Sequence, residues 1–155
     1  MRDKRFVAEH RGGPLKPDQH KQLIIWACAC AEHVLPLLGG EIDERLLNAL
    51  SVAHEWERGK VPVGYAMKAS RDAHTVARES SDPVRIAVAR AIGHAVATAH
   101  MADHSLGSAL YALKAIRISG NPVDQESDWQ INRVPFEIRE LVVTAMIRKK
   151  EHFTI

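Results

Sequence analysis

His94, His100, Asp103 and His104 crowd into a short stretch of this chain, AIGHAVATAHMADHS. His100 and His104 stand four apart, so an unbroken helix presents both rings on one face, with Asp103 three residues from His100. Imidazoles and a carboxylate at that spacing are the skeleton of a divalent metal site or of an acid–base pair. The skeleton is incomplete. A third protein ligand must come from another helix, with His33 and His74 as the candidates, and this H-x-x-x-H lacks the Glu of a zinc peptidase. His94 lies six residues before His100, off the shared face by about 120°. A helix break between the two rings would undo the geometry. We adopt the plainer reading, in which these imidazoles hydrogen-bond backbone ends and neighbouring helices. Metal binding or metal-dependent hydrolysis at the four residues is the alternative.

Other chemistry finds no motif. Asp103-His104 runs opposite to the consecutive His-Asp pair of a dinuclear phosphohydrolase. There is no G-x-S-x-G, no Gly-rich phosphate loop and no dinucleotide fingerprint. We therefore assign no catalytic residue, no cofactor and no enzyme activity. Cys28 and Cys30 point about 200° apart on a helix and read as small buried hydrophobes. No second C-x-C or C-x-x-C completes a metal site with them. Trp26, Trp56 and Trp129 read most simply as core or core-edge residues, with an interface anchor as the alternative for Trp129. It stands among Asp128, Gln130, Asn132 and Arg133, and Trp and Arg are the usual anchors of protein interfaces.

The elements that carry these residues are helices. Residues 89–115 organise the chain: Ala91, Ala95 and Ala99 recur every fourth position, and Gly93 and Ala97 repeat the step one face over. A face this small suits the crowded centre of a bundle. Before it, Asp18 is the expected cap of a first helix bearing Leu23, Trp26, Ala27, Cys30, Ala31, Val34 and Leu37, which Pro36 and Gly39-Gly40 end. Asp43 caps a second helix with a stripe of Leu46, Leu47, Leu50 and Ala53, closed by Gly59. Pro62 opens a third, with Tyr65, Ala66, Ala69, Ala73 and Val76 at helical spacing. Pro83 restarts the chain after Ser80-Ser81-Asp82, and Asp103 or Ser105 caps a further helix with Leu106, Leu110 and Leu113 inside. Residues 124–132 make a short helix. Pro135 opens the last, with Phe136, Ile138, Leu141, Val142, Ala145 and Met146 inward. No strand alternation appears. The expected fold is all-α, a compact bundle of about six to seven helices, with residues 1–17 as a loose arm packing late through Phe6 and Leu15 and residues 18–155 as a single domain.

Composition narrows the class. The chain has 155 residues, 46% hydrophobic and 26% charged, with aromatics at 5%. That favours helices over strands. A net charge of +2 is too small and too mixed for a nucleic-acid stripe. No apolar run approaches the ~20 residues of a membrane span, and no apolar signal core follows the basic N-terminus. The expectation is a cytoplasmic protein with no nucleic-acid or membrane partner. An Ala-rich seam at a subunit interface would make it a homo-oligomer.

Three blocks carry a resemblance: GGPLKPDQHKQLIIWACACAEHVLPLL at 12–38, the region from ALSVAHEWERGKVPVGYAMKAS to His74 at 49–74, and ARAIGHAVATAHMADHSLGSALYALKA at 89–115. Together they resemble the Imm-5-like immunity protein family of bacterial polymorphic toxin systems, over about residues 12–118. The matching positions include Trp26, His33, Trp56, Gly93, His94, His100, His104, Gly107 and Tyr111. The resemblance implies an all-α fold and a cytoplasmic protein that binds and neutralises a cognate toxin, with no catalytic residue. Complementary potential matters at such interfaces, and this mildly basic chain concentrates acid at 41–44 and 124–128. We assign the partner surface to Glu41, Asp43, Glu44, Asp124, Asp128, Trp129 and Arg133.

Overall fold

The computed structural model describes residues 2–153. Seven α-helices follow one another: α1 (Pro17–His33), α2 (Glu44–Glu57), α3 (Val63–Glu79), α4 (Pro83–Ala97), α5 (His104–Ile118), α6 (Val123–Asn132) and α7 (Phe136–Lys150). No strand occurs among the described residues; a lone backbone bridge joins Ala8 and Leu15. The all-α expectation holds.

Local chemistry sets the boundaries. The Asp43 carboxylate accepts from the Arg45 amide at 2.9 Å and that of Asp82 from the Val84 amide at 3.0 Å, so each satisfies an orphan donor at a helix start. Gly59 and Gly120 stand just past α2 and α5 with φ of 75° and 85°, a left-handed conformation open to glycine. Pro17, not Asp18, opens α1: Lys16 occupies the cap position, and the Gln19 side chain satisfies its amide at 2.9 Å. Pro62 likewise sits one residue before α3.

The bundle is built around α4. Ala87, Val88, Ala89, Ala91, Ile92, Gly93, Ala95 and Val96 are all buried, so α4 is apolar nearly all round and is wrapped by α1, α2, α3 and α5. Helices α1 and α5 each bury two faces. Ile24, Ala27, Cys28 and Ala31 of α1 join the core around α4. Leu23, Trp26 and Cys30 join a second core with Leu106, Leu110 and Leu113 of α5 and with Ile138, Val142 and Met146 of α7. Pro17–Leu38, α1 plus a short 3-10 turn, is the one helix among the described residues long and apolar enough to cross a membrane by length and composition. Its apolarity matches this two-sided burial, with Leu23, Trp26, Ala27, Cys28, Cys30 and Ala31 almost wholly enclosed. The 1–17 segment also feeds the second core: Phe6 and Leu15 are buried.

Three residues expected inside are outside. Leu47 is 47% exposed, Tyr65 60% and Phe136 88%. Each is displaced from its helix's core stripe. The α2 stripe is Leu46, Ala49, Leu50 and Ala53; that of α3 starts at Ala66; that of α7 starts at Ile138.

Candidate functional site

The histidines form a seam across three helices, fixed by two glycines. His74 of α3 meets His94 of α4 edge to face at 5.3 Å, and His94 stacks on Tyr111 of α5 at 5.3 Å. His94 Nδ1 and His104 Nδ1 face one another at 2.9 Å, so one ring donates and the other accepts. A Cβ on Gly93 would come within 2.7 Å of the His74 ring, and one on Gly107 within 2.9 Å of His94 Nδ1. The small-residue stripe therefore admits imidazoles as well as helix backbones. His100 lies in the turn between α4 and α5, its ring 5.5 Å from His104. The α4–α5 break separates the two rings, as the two-helix reading requires.

The seam is uncharged at neutral pH. Burial pushes His94 down to about 3 and His74 to about 4, and neighbouring cations add to both shifts. Burial also lowers His100 and His104. The Arg90 guanidinium donates to His74 Nδ1 at 2.7 Å, which makes that nitrogen an acceptor.

Asp103 does not join the rings. It occupies the cap position of α5 without capping it and pairs with Arg2 at 3.5 Å, while the Ser105 hydroxyl donates to the Ala102 carbonyl at 2.7 Å. Among the described residues, no three His, Cys, Asp or Glu side chains are arranged to hold a metal ion. Of the remote ligand candidates, His74 belongs to the seam and His33 lies elsewhere. Cys28 and Cys30 are buried free thiols, and burial raises both above the ordinary thiol range. A thiolate nucleophile is disfavoured there.

The second cluster lies on α6. Its underside is fixed: the Trp26 indole donates to the Gln130 carbonyl at 2.9 Å, and the Gln130 amide donates to the Ala109 carbonyl at 3.0 Å. One turn before Gln130, buried Glu126 accepts from His33 Nδ1 at 2.6 Å. The His33 ring lies parallel to Trp129, centroids 3.6 Å apart and planes 3° apart. The Arg133 guanidinium sits 4.7 Å from the Trp129 ring centre. Trp129 and Arg133 are thus brought together, half-buried and exposed respectively, with Asp124 and Asp128 exposed on the same helix. Helical spacing gives 126, 129 and 133 one face. The contribution of His33 comes from α1 and has no signal in the sequence near α6.

The acidic loop divides. Glu41 and Glu44 are exposed. Asp43 is engaged: it caps α2, pairs with Arg45 at 2.8 Å and lies 3.7 Å from Arg85. The Arg45 side chain beside it holds its carboxyl down to about 2. Arg45 also reaches Glu79 at 2.8 Å, which ties α2 to the end of α3. These contacts give Asp43 a structural role at the start of α2.

The protein is thus all-helical, with an interlocked histidine seam and an aromatic–guanidinium stack at its surface. The chain belongs to the Imm-5 like putative immunity protein family, whose profile matches residues 13–137. No curated protein and no solved structure matches it. The match spans the histidine seam, the acidic loop and all of α6, and it ends as α7 begins.

Proposed function

We propose that this chain binds a cognate bacterial toxin in the cytoplasm and neutralises it by covering it, with no catalysis of its own. The observation that carries this reading is the His33–Trp129–Arg133 stack on α6. Large aromatic and guanidinium groups supply most of the binding energy at protein interfaces when they are held in place beforehand. Here Glu126 and the fixed underside of α6 hold them. Asp124 and Asp128 on α6, and Glu41 and Glu44 on the acidic loop, supply a rim whose charge steers encounter more than it sets affinity.

The test is the dissociation constant of the cognate toxin for the wild type, Trp129→Ala and Arg133→Ala. A centre of binding loses about 30-fold in affinity for either truncation, the equivalent of about 2 kcal/mol. Unchanged affinity in both variants, with helicity intact by circular dichroism, refutes the assignment.

A further inference from the structure

The N-terminal segment and the turn after α7 meet on one side of the bundle. The Arg5 guanidinium donates to Thr144 Oγ1 of α7 at 2.8 Å, which fastens the N-terminal segment along that helix. Phe153 packs edge-on against Tyr111 of α5 at 5.0 Å and against the second core, which holds the turn after α7 in place. Between these segments and the start of α5 lies a cavity of about 500 Å³. Its floor is Leu106 and Ala145, both buried in the second core.

The rim of the cavity is cationic. Arg2 comes from the N-terminal segment, Arg148 and Lys149 from the last turn of α7, and His152 from the turn beyond it. Lys149 is turned towards the adjoining histidine seam, where its charge opposes protonation of His94 and His104. Two carboxylates share the rim, and guanidinium groups engage both. Arg5, from outside the cavity, donates to both oxygens of Asp3 at 3.0 and 2.7 Å, and Arg2 lies 3.5 Å from Asp103. Arg148 stands 4.0 Å from Asp3. With Arg5 included, four full cations surround two carboxylates, so positive charge is in excess before His152 takes a proton. Low-dielectric walls focus such an excess into the cleft.

That combination fits one class of ligand. The volume lies within the range of small-molecule sites and exceeds what a bare ion needs. The apolar floor suits an organic body, and the rim suits an oxyanion. Guanidinium forks and an ammonium around one group match a phosphate, which offers three terminal oxygens and up to two charges, better than a carboxylate.

We propose that this cavity binds a small organic phosphate, a phosphate monoester of about mononucleotide size, with Arg2, Arg148 and Lys149 on the phosphate and the organic body over Leu106 and Ala145. The site is separate from α6 and does not depend on the toxin-binding reading.

Isothermal titration calorimetry of the full chain at low ionic strength tests it, with AMP, ribose 5-phosphate, adenosine and inorganic phosphate as probes. The two esters bind at least about tenfold more tightly than inorganic phosphate, and adenosine does not compete with them. Lys149→Gln and Arg148→Gln each weaken ester binding by at least about tenfold, because each removes a charge-assisted contact. Both side chains are exposed, so the melting temperature without ligand stays near the wild-type value. Lys150→Gln leaves binding unchanged, since the Lys150 amine donates to Ser127 at 3.2 Å, outside the cavity. No binding of either ester overturns the proposal. So does ester affinity indifferent to both Lys149→Gln and Arg148→Gln. Inorganic phosphate binding as tightly as the esters would leave an adventitious ion only, and adenosine binding as tightly as AMP would take the phosphate out of the recognition; either result refutes the site.

Discussion

Acid should loosen this protein from the inside. His94 and His74 titrate at about 3 and about 4 in the folded chain, against about 6.5 when unfolded. Above the unfolded value the rings are neutral in both states and stability does not depend on them. Below it, the unfolded chain binds protons that the folded chain refuses, so stability falls until the folded values are reached. The groups around the rings reinforce this direction. Arg90, Lys149 and the other imidazoles oppose a charge on His94, Arg90 and Arg78 oppose one on His74, and Asp103 alone favours protonation, at His104 and His100. From about pH 7 to about pH 5 each ring costs nearly 2 kcal/mol by linkage; allowing for partial solvent access, the pair costs about 2–4 kcal/mol. In a domain of this size that lowers the melting temperature by roughly 5–15 °C. Asp43, held at about 2, contributes in a separate, more acid window. The assay is urea unfolding followed by circular dichroism at several pH values, on the wild type and on His94→Phe. The phenyl ring keeps the place beside Gly107 and Tyr111 but cannot titrate. That variant is less stable at neutral pH, having lost the bond to His104, yet its stability falls less steeply with acid. A flat wild-type profile between about pH 7 and about pH 5, or an unchanged slope in His94→Phe, refutes the reasoning.

Two further outcomes follow from the same packing. Gly107→Ala drives a methyl to 2.9 Å from His94 and should cost about 1–3 kcal/mol. Gly64→Ala, which meets nothing within 4 Å, should leave stability unchanged or raise it by up to about 1 kcal/mol; equal effects in chemical denaturation would show that Gly107 is not a spacer. Treatment with a chelator should leave the melting temperature of tag-free protein unchanged, since His94 and His104 bond each other and Asp103 pairs with Arg2. A drop on chelation would instead assign those residues to a metal.

The helices were legible because their ends are punctuated. Asp43, Asp82-Pro83 and Gly59 each act through their own backbone neighbours, and that chemistry is local. The break between α4 and α5 was legible for the same reason. What sequence spacing leaves open is which surface stands opposite. Leu46 and Leu47 are adjacent letters, and only the placing of the helices around α2 (α1, α3 and α4) decides that the first is buried and the second exposed. Gly93 and Gly107 announce a close approach without saying that imidazole rings fill it. Trp129 and Arg133 share a face of α6 by spacing, whereas His33 joins them from α1, a contact set by tertiary packing. Asp43 was legible as a helix cap, whereas its approach to Arg85, 42 residues away, is set by tertiary packing.

Reactive-looking and interactive residues are segregated by burial. His74, His94 and His104 are a concentrated source of acid–base chemistry, and packing disfavours their charged form, with His74 and His94 wedged over glycines and His94 bonded to His104. The surface chemistry is concentrated on α6, ten residues long and too short to be stable as an isolated helix in water. Its order depends on what lies beneath it. Trp26 and Gln130 connect it to α1 and to the Ala109 carbonyl of α5, and the next residue along from Gln130 is Trp129. A loss of core packing under α6 therefore frees the rotamers of Trp129 and Arg133 that a partner would have to reorder, at about 0.5–1.5 kcal/mol for each immobilised side chain. Variants at Gln130 should accordingly weaken any interaction made through Trp129 without touching the partner.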